Sequence, residues 1–220
     1  KAVKIPVITV GKIRDPQQAE FILRKKQADF IGVGRTLLAD PEWPNRVKKG
    51  KLKEINPCIA CNQGCISRLF AHQDVWCTVN PACGREIEFK KPVRAKRKVV
   101  VVGGGPAGME AAKVAAERGH DVVLYEKGKE LGGQLFAAGA APHREGWELL
   151  RQTLIGDLKR LGVKVKLNRE FEPKMALREG ADAVIVAEGS SAARPKIPGI
   201  ERYTVLTTRM VLERKLKLHG

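Results

Sequence analysis

Cys58, Cys61, Cys65 and Cys77 stand in the spacing C-x2-C-x3-C-x11-C. Thiolates grouped this way bind zinc or iron–sulfur clusters. Zinc ribbons usually present two C-x2-C knuckles, one per half of the site. Here three thiols come from one short loop, and the fourth is expected from a later strand. A short loop can offer each thiolate to a separate iron at one corner of a cubane. The spacing therefore favours a 4Fe-4S cluster, with zinc or purely structural cysteines as the alternatives. Ala60 and Gly64 are small enough to let backbone N–H groups approach an inorganic core. Cys83 falls outside the pattern and reads as a packed thiol.

The glycine turn of a second constellation begins at Gly103, 26 positions after Cys77. Val99-Val-Val-Val-Gly-Gly-Gly-Pro-Ala-Gly-Met-Glu-Ala-Ala reads as strand, turn, helix. Gly103 allows the tight turn, Gly105 lets a pyrophosphate approach, and Gly108 lets helix and strand pack closely. Pro106 and Ala107 complete the turn, and the helix N-terminus turns N–H groups toward phosphate. Glu126, 18 residues after Gly108, ends the next strand beside Lys127 and can accept ribose hydroxyls. Downstream, Leu131-Gly-Gly-Gln-Leu135 lets Gly133 and Gln134 approach another part of the ligand, which favours FAD over NAD. The turn at Ala187-Glu-Gly189 and the stretch Arg194–Gly199 close a strand, and Glu188 there would repel an anionic cofactor unless it faces water.

The elements around these residues set an α/β class. Segment 1–50 reads as strand Ile5–Val10, a helix from Asp15-Pro16 to about Lys26, strand Phe30–Gly34 and a helical stretch through Leu37-Leu38. Segment 51–95 is loop-rich, punctuated by Pro57, Pro81 and Pro92. Segment 96–220 restarts βαβ, with strands 98–102 and 121–126, helices 106–118 and 145–161, strand 163–167 and a buried strand Ala183–Ala187.

The chain has 220 residues and 43% hydrophobic content, enough for a packed core. No apolar run reaches the ~20 residues of a membrane helix. No secretory or transit segment is visible, and a cysteine-poor remainder suits a reducing cytoplasm. Net charge is +17. Its basic residues are scattered, with clusters at Lys48–Lys53, Lys90–Lys98 and Arg209–Lys217 on expected linkers and helix faces. Three Trp, two Tyr and six Phe are few for a base-stacking platform. Solvated surface is the leading reading of this charge, and a zinc-stabilised nucleic-acid binder is the rival.

The series of cysteine quartet, "VNPxxGRE", "VVGGGPAGMEAA", "YEK…LGGQL" and "IPGI" resembles the iron–sulfur flavoenzymes related to old yellow enzyme, of the 2,4-dienoyl-CoA reductase and trimethylamine dehydrogenase type. The resemblance covers nearly the whole chain and weakens after Glu201. It implies the last βα units of an FMN-bearing TIM barrel (1–50), an iron–sulfur segment (51–95) and an incomplete Rossmann-like FAD-binding domain (96–220). It implies that Gly11, Gly32, Gly34 and Arg35 hold the FMN phosphate, consistent with phosphate sites formed after barrel strands 7 and 8. The four cysteines would ligate the cluster. Gly103, Gly105, Pro106, Ala107, Gly108, Glu126, Lys127, Gly133 and Gln134 would bind FAD.

The resemblance further implies a relay from NAD(P)H through FAD and the cluster to FMN, reducing an activated C=C bond. An amine-oxidising branch would run electrons from FMN to the cluster. The substrate is a small molecule whose pocket lies in a barrel portion outside this chain, so no catalytic residue is assigned here. A second G-x-G-x-x-G is not found in the sequence, and the chain reads as a piece of something longer. A self-standing electron-transfer module and a glutamate-synthase-type subunit are further alternatives. Neither a nucleic-acid nor a membrane partner is expected, and a homo-oligomer is compatible with the sequence.

Overall fold

A computed structural model describes residues 3–89, 93, 95–202 and 204–214. Pro92 and parts of the basic clusters at Lys90–Lys98 and Arg209–Lys217 lie outside these residues. The chain divides into two compact units, Lys1–Lys91 and Pro92–Gly220.

In the first unit, strand β1 (Ile8–Val10) pairs in parallel with β2 (Phe30–Gly32), with Ile8 opposite Phe30. Helix α1 (Pro16–Arg24) crosses between them. Asp15 caps it, its carboxylate accepting the Gln17 N–H at 2.9 Å, and Pro16 fits the first turn because no N–H is needed there. β1 is shorter than the expected Ile5–Val10. Pro6 cannot donate to a ladder, and the Val7 N–H is taken by the Asp29 carboxylate at 2.7 Å. Ile13, Ala19 and Trp43 form the core, with Ile22, Ile31 and Val33 against them.

Two short helices follow, α2 (Arg35–Ala39) and α3 (Trp43–Lys48). A 3-10 turn at Leu52–Glu54 leads into the cysteine segment, which carries α4 (Ile66–Phe70) and α5 (Glu86–Phe89). Two asparagines fasten this segment to α2. Helix ends leave carbonyls without partners inside the helix. Asn80 Nδ2 donates to the Leu38 carbonyl at 2.9 Å, and Asn56 Nδ2 donates to those of Ala39 at 3.0 Å and Val79 at 2.6 Å. Buried Asp40 accepts from Arg46 and from the Asn56 and Glu42 N–H groups. The cysteine segment is therefore one packed piece with the strands before it.

The second unit is a four-stranded parallel sheet in the order β5-β4-β3-β6. Its strands are β3 (Lys98–Val102), β4 (Asp121–Tyr125), β5 (Lys164–Lys166) and β6 (Ala183–Val186). Helix α6 (Pro106–Glu117) links β3 to β4. Helices α7 (Leu135–Ala140) and α8 (Glu145–Arg160) lead to β5, α9 (Pro173–Glu179) leads to β6, and α10 (Thr208–Arg214) follows. β3 and β4 are buried on both faces, as central parallel strands are. Met109 and Leu158, on helices α6 and α8, are fully enclosed. Each such side chain contributes about 1.5–3 kcal/mol by leaving water.

Strand β6 corrects the expectation of a buried strand. Val184, Ile185 and Val186 are exposed. The apolar run is genuine, but β6 is the edge of the sheet, paired with β3 alone. An apolar tetrad does not by itself distinguish an edge strand from a central one.

On one face, Tyr125, Lys166, Lys98 and Glu179 meet. Glu179 accepts from the Tyr125 hydroxyl and from Lys166, both at 2.5 Å, and pairs with Lys98 at 3.2 Å. Phe171 packs edge-on against Tyr125 at 5.2 Å. This cluster ties α9 to three strands. The hydrogen bond from Lys166 leads in holding the Glu179 carboxyl at about 2, below the ordinary 4.5. A depressed carboxyl stabilises the fold fully above its unfolded value, and that share is lost as pH falls from about 4.5 toward 2. We expect Glu179→Gln to lower Tm at pH 7 by a few degrees, corresponding to about 1 kcal/mol. The difference from wild type should vanish near pH 2 in thermal melts.

Candidate functional site: a dinucleotide cavity, a cysteine ring and a basic phosphate cavity

The turn between β3 and α6 opens onto a cavity of about 500 Å³. Gly103, Gly105, Pro106, Ala107, Glu126, Lys127, Gly133 and Gln134 all line it. Gly103 has φ +104°, and a Cβ there would strike the Ala187 carbonyl, so glycine is required. Gly108 lies beneath the floor: a Cβ on it would overlap the Gly103 carbonyl oxygen. Glu126 braces the turn, accepting the N–H groups of Gly104 and Gly128 at 2.6 Å each. Above Gly105 space is open, while a Cβ at Gly133 would come 2.9 Å from the Gly105 Cα. Two glycine turns thus face one another across a slot that backbone alone can line. That shape fits a dinucleotide diphosphate.

Side chains that the sequence reading did not single out complete the cavity. Arg169, Glu170 and Phe171 come from the loop after β5, Ser190 from the loop after β6, and Arg209 from α10. Glu188 also lines it, with an exposed side chain. Gln134 Nε2 donates to the Ser190 hydroxyl at 3.0 Å. No local motif marks Arg169 or Arg209, because the folding of distant loops brings them to the cavity.

The Leu131–Gln134 turn is anchored from behind by Arg151 on α8. Its Nη1 donates to the Leu131 carbonyl at 2.9 Å, and its guanidinium lies 4.6 Å from the Phe136 ring centroid. Glu148 clasps the same guanidinium at 2.7–2.8 Å and holds it charged. We expect Arg151→Ala to weaken FAD binding about tenfold, by loosening the turn, as read by flavin fluorescence titration; an unchanged affinity would exclude this role.

In the first unit Cys58, Cys61, Cys65 and Cys77 line one cavity together with Gly64, Trp76 and Thr78. The loop curls because Ala60 and Asn62 adopt left-handed φ of 55° and 61°. Such positions are the building unit of concave N–H nests. Gly64 packs flat against Trp76, where a Cβ would collide with the indole. Cys77 stands in a turn, in a lone antiparallel bridge with Asn80, rather than in the expected strand. Burial pushes the thiol of Cys77 up, and likewise that of Cys83, which is buried outside the ring.

A single zinc ion with bonds of about 2.3 Å would draw four sulfurs to within about 4 Å of one another. Among the described residues no three His, Cys, Asp or Glu side chains converge closely enough to hold one ion. The four thiols line a small cavity of about 20 Å³, and four thiolates are a donor set that zinc and iron–sulfur clusters share.

A third cavity, of about 230 Å³, lies after β1 and β2. Gly11, Gly32, Gly34 and Arg35 line it, joined by Lys12, Arg14 and Cys58. Gly11 and Gly34 face open space, and three cations suit an anionic phosphate. The sequence reading named Arg35 and the glycines, but passed over Lys12 and Arg14. The signal for them was the basic Lys12-Ile-Arg14 stretch directly after Gly11.

One chain thus carries a parallel sheet with a glycine turn at its carboxyl end and a ring of four cysteines. Residues 1–54 match the NADH:flavin oxidoreductase / NADH oxidase family, and residues 97–218 match the pyridine nucleotide-disulphide oxidoreductase family. The chain belongs to the iron–sulfur flavoenzymes related to old yellow enzyme.

It is 49% identical to an NADH oxidase of Thermoanaerobacter brockii over 92% of this chain and 32% of that protein. It is 42% identical to a cinnamate reductase of Clostridium sporogenes over 92% of this chain and 30% of that protein. A solved 2-naphthoyl-CoA reductase in complex with 2-naphthoyl-CoA superposes with a TM-score of 0.92 at 35% identity, over 99% of this chain and 34% of that one. The chain therefore spans about a third of the length of the relatives it matches. Among the described residues no helix is long and apolar enough to cross a membrane. The family's cofactors are FMN, FAD, NAD(P)H and a 4Fe-4S cluster.

Proposed function

We propose that this chain is the electron-carrying portion of an NAD(P)H-dependent reductase acting on an activated C=C bond of a small molecule such as an enoate or unsaturated acyl-CoA. The observation that carries the reading is the presence of three built cavities in one chain: a dinucleotide slot, a ring of four thiols and a basic phosphate cavity. Bound there, FAD, a 4Fe-4S cluster and FMN would supply hydride acceptance, one-electron steps and transfer to substrate.

The chain's own residues have distinct tasks. Gly103, Gly105 and Gly133 admit the FAD diphosphate, and Glu126 accepts ribose hydroxyls. Arg151 fixes the second glycine turn. Cys58, Cys61, Cys65 and Cys77 ligate the cluster, while Trp76 and Ile59 shield one side of it. Lys12, Arg14 and Arg35 neutralise the FMN phosphate. No residue of this chain is assigned to substrate. A reducing cytoplasmic compartment suits the thiols.

The cinnamate reductase and 2-naphthoyl-CoA reductase likenesses favour reduction over amine oxidation. Anaerobic reconstitution with iron, sulfide, FAD and FMN tests the reading. Four irons per chain and one FAD are expected. Zinc bound in place of iron, or a chain that takes up no flavin, would overturn it.

A further inference from the structure

Two arginines of the phosphate cavity are also hydrogen-bonded to the cysteine loop. Arg35 lines both the phosphate cavity and the thiol cavity. Its Nη1 donates to Asn62 Oδ1 at 2.5 Å, immediately after Cys61. Arg14 lines the phosphate cavity, and its Nη1 donates to the carbonyl of Cys58 at 3.0 Å. Cys58 itself lines both cavities. The loop thus receives one guanidinium at its first thiol and one beside its second.

These contacts fix geometry at both ends. A guanidinium has five donors in a rigid fork, so it can serve two acceptors at once. Arg35 held by Asn62 is oriented before any phosphate arrives. Conversely, a phosphate that immobilises Arg14 and Arg35 removes freedom from the loop that carries Cys58 and Cys61. Asn62 is well chosen for this: at φ 61° asparagine tolerates the left-handed region and still offers an acceptor.

We propose that Arg14 and Arg35, through the Cys58 carbonyl and Asn62, make the phosphate cavity and the cysteine ring one cooperative element. An FMN phosphate then binds more tightly when the ring holds its cluster, and the ring holds the cluster more tightly when the phosphate is bound. The two effects are equal by linkage. This rests on the reading that the two cavities take FMN and a cluster. Asn62 and the Cys58 carbonyl act as positioning groups; they do not touch substrate.

The test is anaerobic FMN titration, followed by fluorescence quenching, of the full chain with its cluster assembled and with the ring empty. FMN affinity should rise about 5- to 150-fold when the cluster is present. Riboflavin, which lacks the phosphate, should show less than about a twofold difference on the same scale. Asn62→Gly keeps the left-handed backbone and removes the acceptor. It should lose at least half of the logarithmic coupling, read as the ratio of FMN affinities with and without the cluster, whatever the affinity of the empty-ring form.

Equal FMN affinity with and without the cluster would overturn the proposal. So would full coupling with riboflavin, or full coupling in Asn62→Gly. A chain that takes up both groups but shows no coupling rejects only this inference. A chain that takes up neither rejects the functional reading as well.

Discussion

Gly108→Val is expected to abolish FAD binding and leave the iron–sulfur absorbance unchanged. The Gly108 Cβ position overlaps the Gly103 carbonyl oxygen and approaches Ala187. A side chain there must push α6 off β3, at the point where the helix N-terminus faces the dinucleotide cavity. Overpacking of this kind costs about 1–3 kcal/mol even where the surroundings can shift, and backbone shifts least. The loss should exceed a hundredfold in FAD affinity, because the displaced turn carries the N–H groups meant for the diphosphate. The cysteine ring belongs to the other compact unit. Iron content and the broad absorbance of the cluster should therefore persist while the flavin bands disappear. A variant that kept FAD would show that Gly108 is a packing convenience.

Cys61→Ala should lose the 4Fe-4S cluster, whereas Cys83→Ala should retain it. Cys61 lines the ring and its Sγ lies 3.2 Å from the Thr78 hydroxyl, inside the same wall. Removing one of four thiolates leaves one iron without a protein ligand. Iron content should fall from four per chain toward zero, or to three with a changed electron paramagnetic resonance signal. Cys83 is buried but does not line the ring. Its replacement by Ala should cost stability only, about 1 kcal/mol for the lost packing of one sulfur. Iron analysis of the two variants side by side separates the roles, and the reverse pattern would exchange Cys83 with Cys61 as ligand.

The parts of the fold visible in the sequence were those with strong local chemistry. β3, α6 and β4 are marked by a valine run, a glycine turn and a second apolar run, and their ends agree within a residue or so. α1 was legible from Asp15-Pro16 and the spacing of Ala19, Ile22 and Leu23. Short helices escaped. α7 follows Gly-Gly and is rich in alanine, and α9 starts at Pro173 after a glutamate; neither is long enough to show a clear 3.6-residue rhythm. The wrong assignment of β6 as buried has a different cause. Its neighbours are set by topology, which four apolar residues do not encode.

The same division holds for the site. Glycines and cysteines declare themselves because their chemistry depends on spacing along the chain. Arg151, Asn56 and Asn80 act across roughly twenty to forty positions, and Arg169 and Arg209 reach the cavity from separate elements, which only the folded chain brings together. Each is a common surface residue type, and nothing in its own neighbourhood distinguishes it from the many other basic or polar residues here.

The sheet order has a consequence for how the molecule forms. β3 and β4 are joined by one helix and can pair early. β6 must return to β3 from far along the chain, with Asp182 receiving the Lys98 N–H across 84 positions. Non-local pairing pays its loop-closure entropy before contacts repay it. β6 is therefore expected to be the last of these strands to join, and the stretch Ala187–Ser190 that follows it forms one wall of the dinucleotide cavity. FAD would meet a half-built slot during folding and act as the latch that retains the final strand.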